Sequence, residues 1–230
     1  MNDMTRDTPL DPPYLYPDYR STLLRAPGQA PVELAPGALD VPGPLVPRGF
    51  VRDKDNDLTV RGKSAPLGEK MILTGRLLDE GGRPIRDALI EIWQANASGR
   101  YDHPGDTHEA PLDPNFSGVG RTLTDAQGRY RFVTVKPGSY PWQNHAFAWR
   151  PQHIHFSLLG NAPVQRLITQ MYFPGDPLLA IDPVYLSVPD QAARERMIAT
   201  LALETGIEGI ALGYHFDIVL AGAKSTPLGI

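Results

Sequence analysis

The sequence contains no cysteine, which excludes disulfides, thiolate metal sites, iron–sulfur clusters and cysteine nucleophiles. It has no apolar run approaching the ~18 residues of a membrane helix, and no basic start that leads into an apolar leader. Basic charge is short as well. The 22 Lys and Arg against 26 Asp and Glu leave a formal net charge of −4, the wrong sign for a surface that grips nucleic-acid phosphates. A soluble, cytoplasmic protein with no membrane and no nucleic-acid partner is the expectation. Also missing are G-x-G-x-x-G opening a helix, the P-loop, G-x-S-x-G and H-E-x-x-H. Proline and glycine, by contrast, are abundant, at 24 and 22 of 230 residues, and 41% of residues are apolar. That combination, without low-complexity repeats, suits a sizeable core built from many short strands and turns.

Ten of the prolines fall between Pro9 and Pro47. Proline lacks a donor N–H and fixes φ, so residues 1–60 are expected to form an extended arm rather than continuous sheet or helix. Tyr14, Tyr16, Tyr19, Leu23 and Leu24 make the arm too apolar for a free tail. It is expected to pack on something, another chain included. Residues 61–230 read as the β-domain. Alternation and β-branched content predict strands over Met71–Asp79, Ala88–Gln94, Arg129–Val135, Gln152–Leu158, Val164–Phe173 and Tyr214–Ala221. One short late helix, Gln191–Leu203, follows a cap-like Ser187-x-x-Asp190. The predicted class is all-β, an antiparallel β-sandwich with a Pro-rich N-terminal arm.

The chemistry-bearing residues centre on His153-Ile154-His155. On a strand, residues i and i+2 share a face, so both imidazoles can reach one metal while Ile154 turns away. Two histidines on a solvated face would look the same. Further ligands could come from the cluster Asp102, His103, Asp106, His108 and Glu109, which reads equally as a polar loop. They could also come from Tyr101 and Tyr140, which follow Gly99-Arg100 and Gly138-Ser139. With a reference pKa near 10, a phenol is a poor ligand for a divalent ion at neutral pH. A trivalent ion can lower that pKa enough to bind phenolate. Two tyrosines with two histidines would therefore imply Fe(III). A zinc hydrolase using the loop cluster and a non-catalytic binding sandwich remain open on these residues alone.

Longer motifs narrow the choice. Leu89-Ile90-Glu91-Ile92-Trp93-Gln94-Ala95-Asn96-Ala97, Gly99-Arg100-Tyr101 and Ala110-Pro111-Leu112-Asp113-Pro114-Asn115-Phe116 are followed by Lys136-Pro137-Gly138-Ser139-Tyr140-Pro141-Trp142. Then comes Trp149-Arg150-Pro151-Gln152-His153-Ile154-His155-Phe156. In this order, and with Pro17-Asp18-Tyr19 in the arm, the sequence resembles the β subunits of intradiol ring-cleaving dioxygenases acting on protocatechuate. The resemblance implies iron(III)-dependent cleavage of protocatechuate by O2 to 3-carboxy-cis,cis-muconate. It implies Fe(3+) held by Tyr101, Tyr140, His153 and His155, with Tyr101 also a base and Arg150 a catalytic cation. Tyr19, Trp142, Gln170 and Val184 then line the substrate pocket, and the partner is a homologous iron-free α subunit. One position departs from the family pattern. Gln143 follows Trp142, where family members carry an arginine near the substrate carboxylate, and a partner chain could supply that charge.

Overall fold

The computed structural model describes residues 10–30, 32, 49–144, 149–159 and 166–229. Most of the expected arm's prolines and the start of the strand expected from Val164 lie outside these residues. Among the described residues eleven strands follow one another: β1 (Lys70–Leu78), β2 (Leu89–Trp93), β3 (Val119–Leu123), β4 (Arg129–Val135), β5 (Tyr140–Pro141), β6 (Trp149–Arg150), β7 (His153–Leu159), β8 (Arg166–Tyr172), β9 (Thr200–Leu201), β10 (Leu212–His215) and β11 (Ile218–Val219). The helices are α1 (Thr22–Arg25), α2 (Pro183–Leu186) and α3 (Gln191–Glu195). None of the described helices is long and apolar enough to cross a membrane.

Two sheets face each other across the core. One has the order β3-β2-β7-β8 and is antiparallel throughout. The other is built on β1, which pairs antiparallel with β4 but parallel with β10 and then β11. The all-β sandwich therefore stands, with one sheet mixed rather than antiparallel. Alternation decides which face a residue takes, not which strand lies beside it. Inward positions fill the core: Met71, Leu73 and Leu77 from β1, Ile90 and Ile92 from β2, Phe132 from β4, and Ile154, Phe156 and Leu158 from β7. Burial of such side chains is worth ~1.5–3 kcal/mol each before the entropy of ordering them.

The late helix is shorter than expected, and it is joined by α1 and α2. Asp190 caps α3 by accepting from the Ala193 N–H at 2.6 Å. The helix stops at Glu195 because the next residues pair with the end of β8. Tyr172 donates to the Met197 carbonyl at 2.8 Å, and Ala199 donates to the Tyr172 carbonyl at 2.9 Å. The strand expected over Tyr214–Ala221 divides into β10 and β11 at Phe216-Asp217. There the Asp217 carboxylate, rather than a carbonyl, accepts the Arg76 N–H at 2.7 Å.

Candidate active site

The outer face of the antiparallel sheet holds the candidate residues. Because Ile154 and Phe156 face the core, His153 and His155 must face outward. Register then sets their neighbours: Trp93 and Gln170 flank His155, and Tyr172 lies opposite His153. The Trp93 ring stacks on His155 with 4.8 Å between centroids and 1° between planes. His153 Nδ1 lies 2.7 Å from the Pro151 carbonyl, an acceptor only, so Nδ1 carries the proton and Nε2 the lone pair. That Nε2 is 3.2 Å from His155 Nε2 and 3.3 Å from Tyr140 Oη. Burial first, and the Arg150 charge second, push His155 down to about 3 and His153 well below its ordinary value. Both rings are neutral at physiological pH, the form that ligates metals.

The tyrosines arrive on two loops that touch through glycine. Gly99 adopts φ +79°, and a Cβ there would sit 2.3 Å from the Ser139 carbonyl oxygen. A Cβ on Gly138 would meet the Ala97 oxygen at 2.5 Å. Each glycine stands two residues before its tyrosine, so the loops close face to face and bring Tyr101 edge-on to Tyr140 at 5.3 Å and 86°. The Tyr101 N–H donates to Asp106 at 2.7 Å. The buried Tyr101 Oη has no hydrogen-bond partner among the described residues. Burial, reinforced by Tyr140, holds the Tyr101 phenol well above its ordinary range, and burial raises Tyr140 too. A stranded phenol beside two close imidazole nitrogens, one of them a bare lone pair, is a poor arrangement on its own. A bound cation would resolve it.

Arg150 lies beside this cluster, 3% exposed and paired with Tyr140 across β5 and β6. Its Nε meets Asp182 Oδ1 at 2.9 Å. Nη2 donates to Gln170 Oε1 at 2.5 Å and lies 3.3 Å from both Tyr172 Oη and Asp182 Oδ2. Burial is the largest single influence and opposes its charge, but Asp182, Tyr172 and Tyr140 together outweigh it and the pKa is raised. The guanidinium also sits 4.9 Å from the Trp142 ring, and Trp142 packs on Tyr19 of the arm at 5.2 Å. The arm is held there by Arg20 and Ser21, whose N–H groups donate to the Asn144 carbonyl and to Asn144 Oδ1 at 3.1 and 2.6 Å.

Comparison with known proteins agrees with this geometry. The Dioxygenase family model matches residues 42–222, and the model of the protocatechuate 3,4-dioxygenase beta subunit N terminal matches residues 5–36. A protocatechuate 3,4-dioxygenase beta chain from Burkholderia cepacia is 54% identical over 97% of this chain and 95% of its own length. The chain belongs to this family of dioxygenase beta chains. A protocatechuate 3,4-dioxygenase alpha chain from Pseudomonas putida is 30% identical, over 85% of this chain and 97% of its own. In fold, the dioxygenase resembles the 3-chlorocatechol 1,2-dioxygenase of Rhodococcus opacus 1CP. The TM-score is 0.56, at 22% identity, over 78% of this chain and 70% of that one.

The dioxygenase thus gathers Tyr101, Tyr140, His153, His155, Arg150 and Gln170 into one cluster, and reaches Tyr19 through Trp142. Val184 is buried in α2, two residues beyond Asp182, and its link to the cluster runs through that carboxylate. The Asp102–Glu109 segment is a loop whose Asp106 positions Tyr101 and whose Asp102 pairs with Arg61. Among the described residues no three His, Cys, Asp or Glu group to hold a metal. Gln143 is exposed. Three neighbours were not anticipated: Trp93, Tyr172 and Asp182. Trp93 and Tyr172 sit in predicted strands, but only the cross-strand register puts them beside the histidines. Asp182 caps α2 just before Pro183, and nothing in its neighbouring sequence points to Arg150.

Proposed function

We propose that this dioxygenase cleaves protocatechuate with O2 between its two hydroxylated carbons, giving 3-carboxy-cis,cis-muconate, as the iron-bearing chain of an αβ enzyme of aromatic catabolism. The observation that carries the reading is the convergence of two neutral imidazole Nε2 atoms and two phenols, one with a buried hydroxyl that has no hydrogen-bond partner among the described residues. This donor set fits Fe(III): Tyr101, Tyr140, His153 and His155 would hold it. When bound, iron(III) supplies a Lewis-acidic, redox-active centre that coordinates both oxygens of an ortho-diphenol and readies the ring for O2.

The chain's own groups do the rest. Tyr101, ionised to phenolate by the bound cation, would accept a substrate hydroxyl proton as a general base. Arg150 stabilises negative charge that develops on the ring oxygens, a role in which one preorganised donor is worth ~10²–10³ in rate. Trp142 and Tyr19 form an aromatic wall, Val184 an aliphatic one, and Gln170 holds the guanidinium against the pocket. The partner is a homologous α chain. In support, the arm exposes Tyr14, Leu15, Leu23 and Leu24, the last at 94%, apolar side chains that a partner chain would cover. In this reading residues 1–60 are a docking arm and 61–230 the catalytic sandwich.

Co-expression with the α chain, iron loading and oxygen uptake with protocatechuate test the proposal. One O2 consumed per protocatechuate, with a visible phenolate-to-iron absorption band that Tyr140→Phe alters, is the expected result. A colourless, fully iron-loaded protein would overturn the ligand set. Turnover of catechol without turnover of protocatechuate would overturn the substrate.

A further inference from the structure

We infer that Asp182 is the positioning residue of Arg150 and acts on the reaction only through that guanidinium; the inference rests on the function proposed above. Asp182 is 0% exposed, and none of its described hydrogen bonds or ion pairs goes to Tyr101, Tyr140, His153 or His155. Oδ1 lies 2.9 Å from Arg150 Nε, an ion pair that lacks hydrogen-bond geometry. Oδ2 lies 3.3 Å from Nη2, accepts from Tyr172 Oη at 3.1 Å and accepts the Tyr185 N–H at 3.2 Å. One carboxylate thus fixes an edge of the guanidinium and caps the helix that carries Val184.

The remaining contacts hold that edge from the other side. Gln170 donates its amide to the Gly229 carbonyl at 3.2 Å, which turns Oε1 towards Arg150 Nη2. Tyr172 Oη has one hydrogen, and it can go to Gln170 Oε1 at 3.0 Å or to Asp182 Oδ2 at 3.1 Å. Either choice leaves its lone pairs open to Nη2. Arginine side chains are otherwise long and rotamer-rich. The pair carries no net charge, so it offers a developing anion a dipole, and the effect of a dipole depends on its direction. Losing Asp182 would therefore cost orientation even with the arginine still present.

The experiment uses the iron-loaded αβ enzyme and the isosteric Asp182→Asn, which keeps an acceptor for the Tyr185 N–H. The expected result is a ~10–100-fold fall in kcat, with iron content and KM for protocatechuate unchanged. In an Arg150→Gln background the same substitution should cost no further turnover. Stability should behave differently. Asp182→Asn alone strands a buried cation and lowers the melting temperature, whereas Arg150→Gln with Asp182→Asn recovers part of that loss without recovering turnover. If Asp182→Asn does not yield folded protein, Tyr172→Phe removes one tether while keeping the ring. Its smaller loss of kcat should likewise vanish beside Arg150→Gln. Wild-type kcat in Asp182→Asn, or equal losses in both backgrounds for either variant, would overturn the inference. Wild-type turnover in Arg150→Gln alone would overturn the function assigned to Arg150 instead.

Discussion

The two faces of β7 differ more than any two distant parts of the molecule. Towards the core, Ile154, Phe156 and Leu158 are fully buried and ask nothing of their neighbours but shape. On the other face, His153 is also buried and His155 half-buried, yet their nitrogens confront each other at 3.2 Å beside a phenol with no hydrogen-bond partner among the described residues. A period of two lets seven residues serve both ends without compromise. Stability is concentrated on one side of the backbone, and unresolved polarity on the other.

That contrast can be broken most severely at the histidines. His153→Ala or His155→Ala should abolish iron binding and reduce turnover to background, while the metal-free protein keeps its β-sheet circular dichroism. Unfolding of either variant would mean that the outer face is core as well. Next in size, Phe156→Ala should cost ~3–5 kcal/mol in urea denaturation, and the protein that remains folded should bind iron normally. Acid sharpens the comparison further. Unfolded His155 takes a proton near pH 6.5, but folded His155 resists until about 3, so between these values the unfolded state binds more protons. Stability of the metal-free protein should fall as pH falls through that window, by up to ~1.4 kcal/mol per unit from this group. His155→Gln should flatten the slope. The smallest effect belongs to Trp93→Leu, which removes a stacked ring worth ~0.5–1.5 kcal/mol and should weaken iron retention more than fold stability.

What could be read in the sequence follows the same division. Alternation located β4 to the residue and placed His153, His155 and Ile154 on their correct faces. It missed β3, because Val119-Gly120-Arg121-Thr122-Leu123 has no apolar period and occupies a sheet edge with every side chain at least partly exposed. It overran α3, because the residues after Glu195 are drawn away by backbone bonds to Tyr172, a partner more than twenty positions upstream. The residues themselves offered the tyrosines as candidates, and the resemblance chose them over the Asp102–Glu109 cluster; local spacing alone could not, since their meeting depends on Gly99 and Gly138 pressing two loops together. Asp182 was invisible for a similar reason: nothing near it in sequence announces Arg150.

The parallel pairing of β1 bears on how the protein is made. β1 is complete early in synthesis and can zip to β4 soon afterwards, yet its other ladder waits for Leu212 to Val219, with Thr74 reaching a partner 140 positions later. Until then the nascent chain carries a long apolar strand with a bare edge, a template for pairing with any other strand at hand. A premature stop that removes β10 and β11 should therefore yield insoluble protein rather than a weakened enzyme, although every proposed iron ligand would already have been translated.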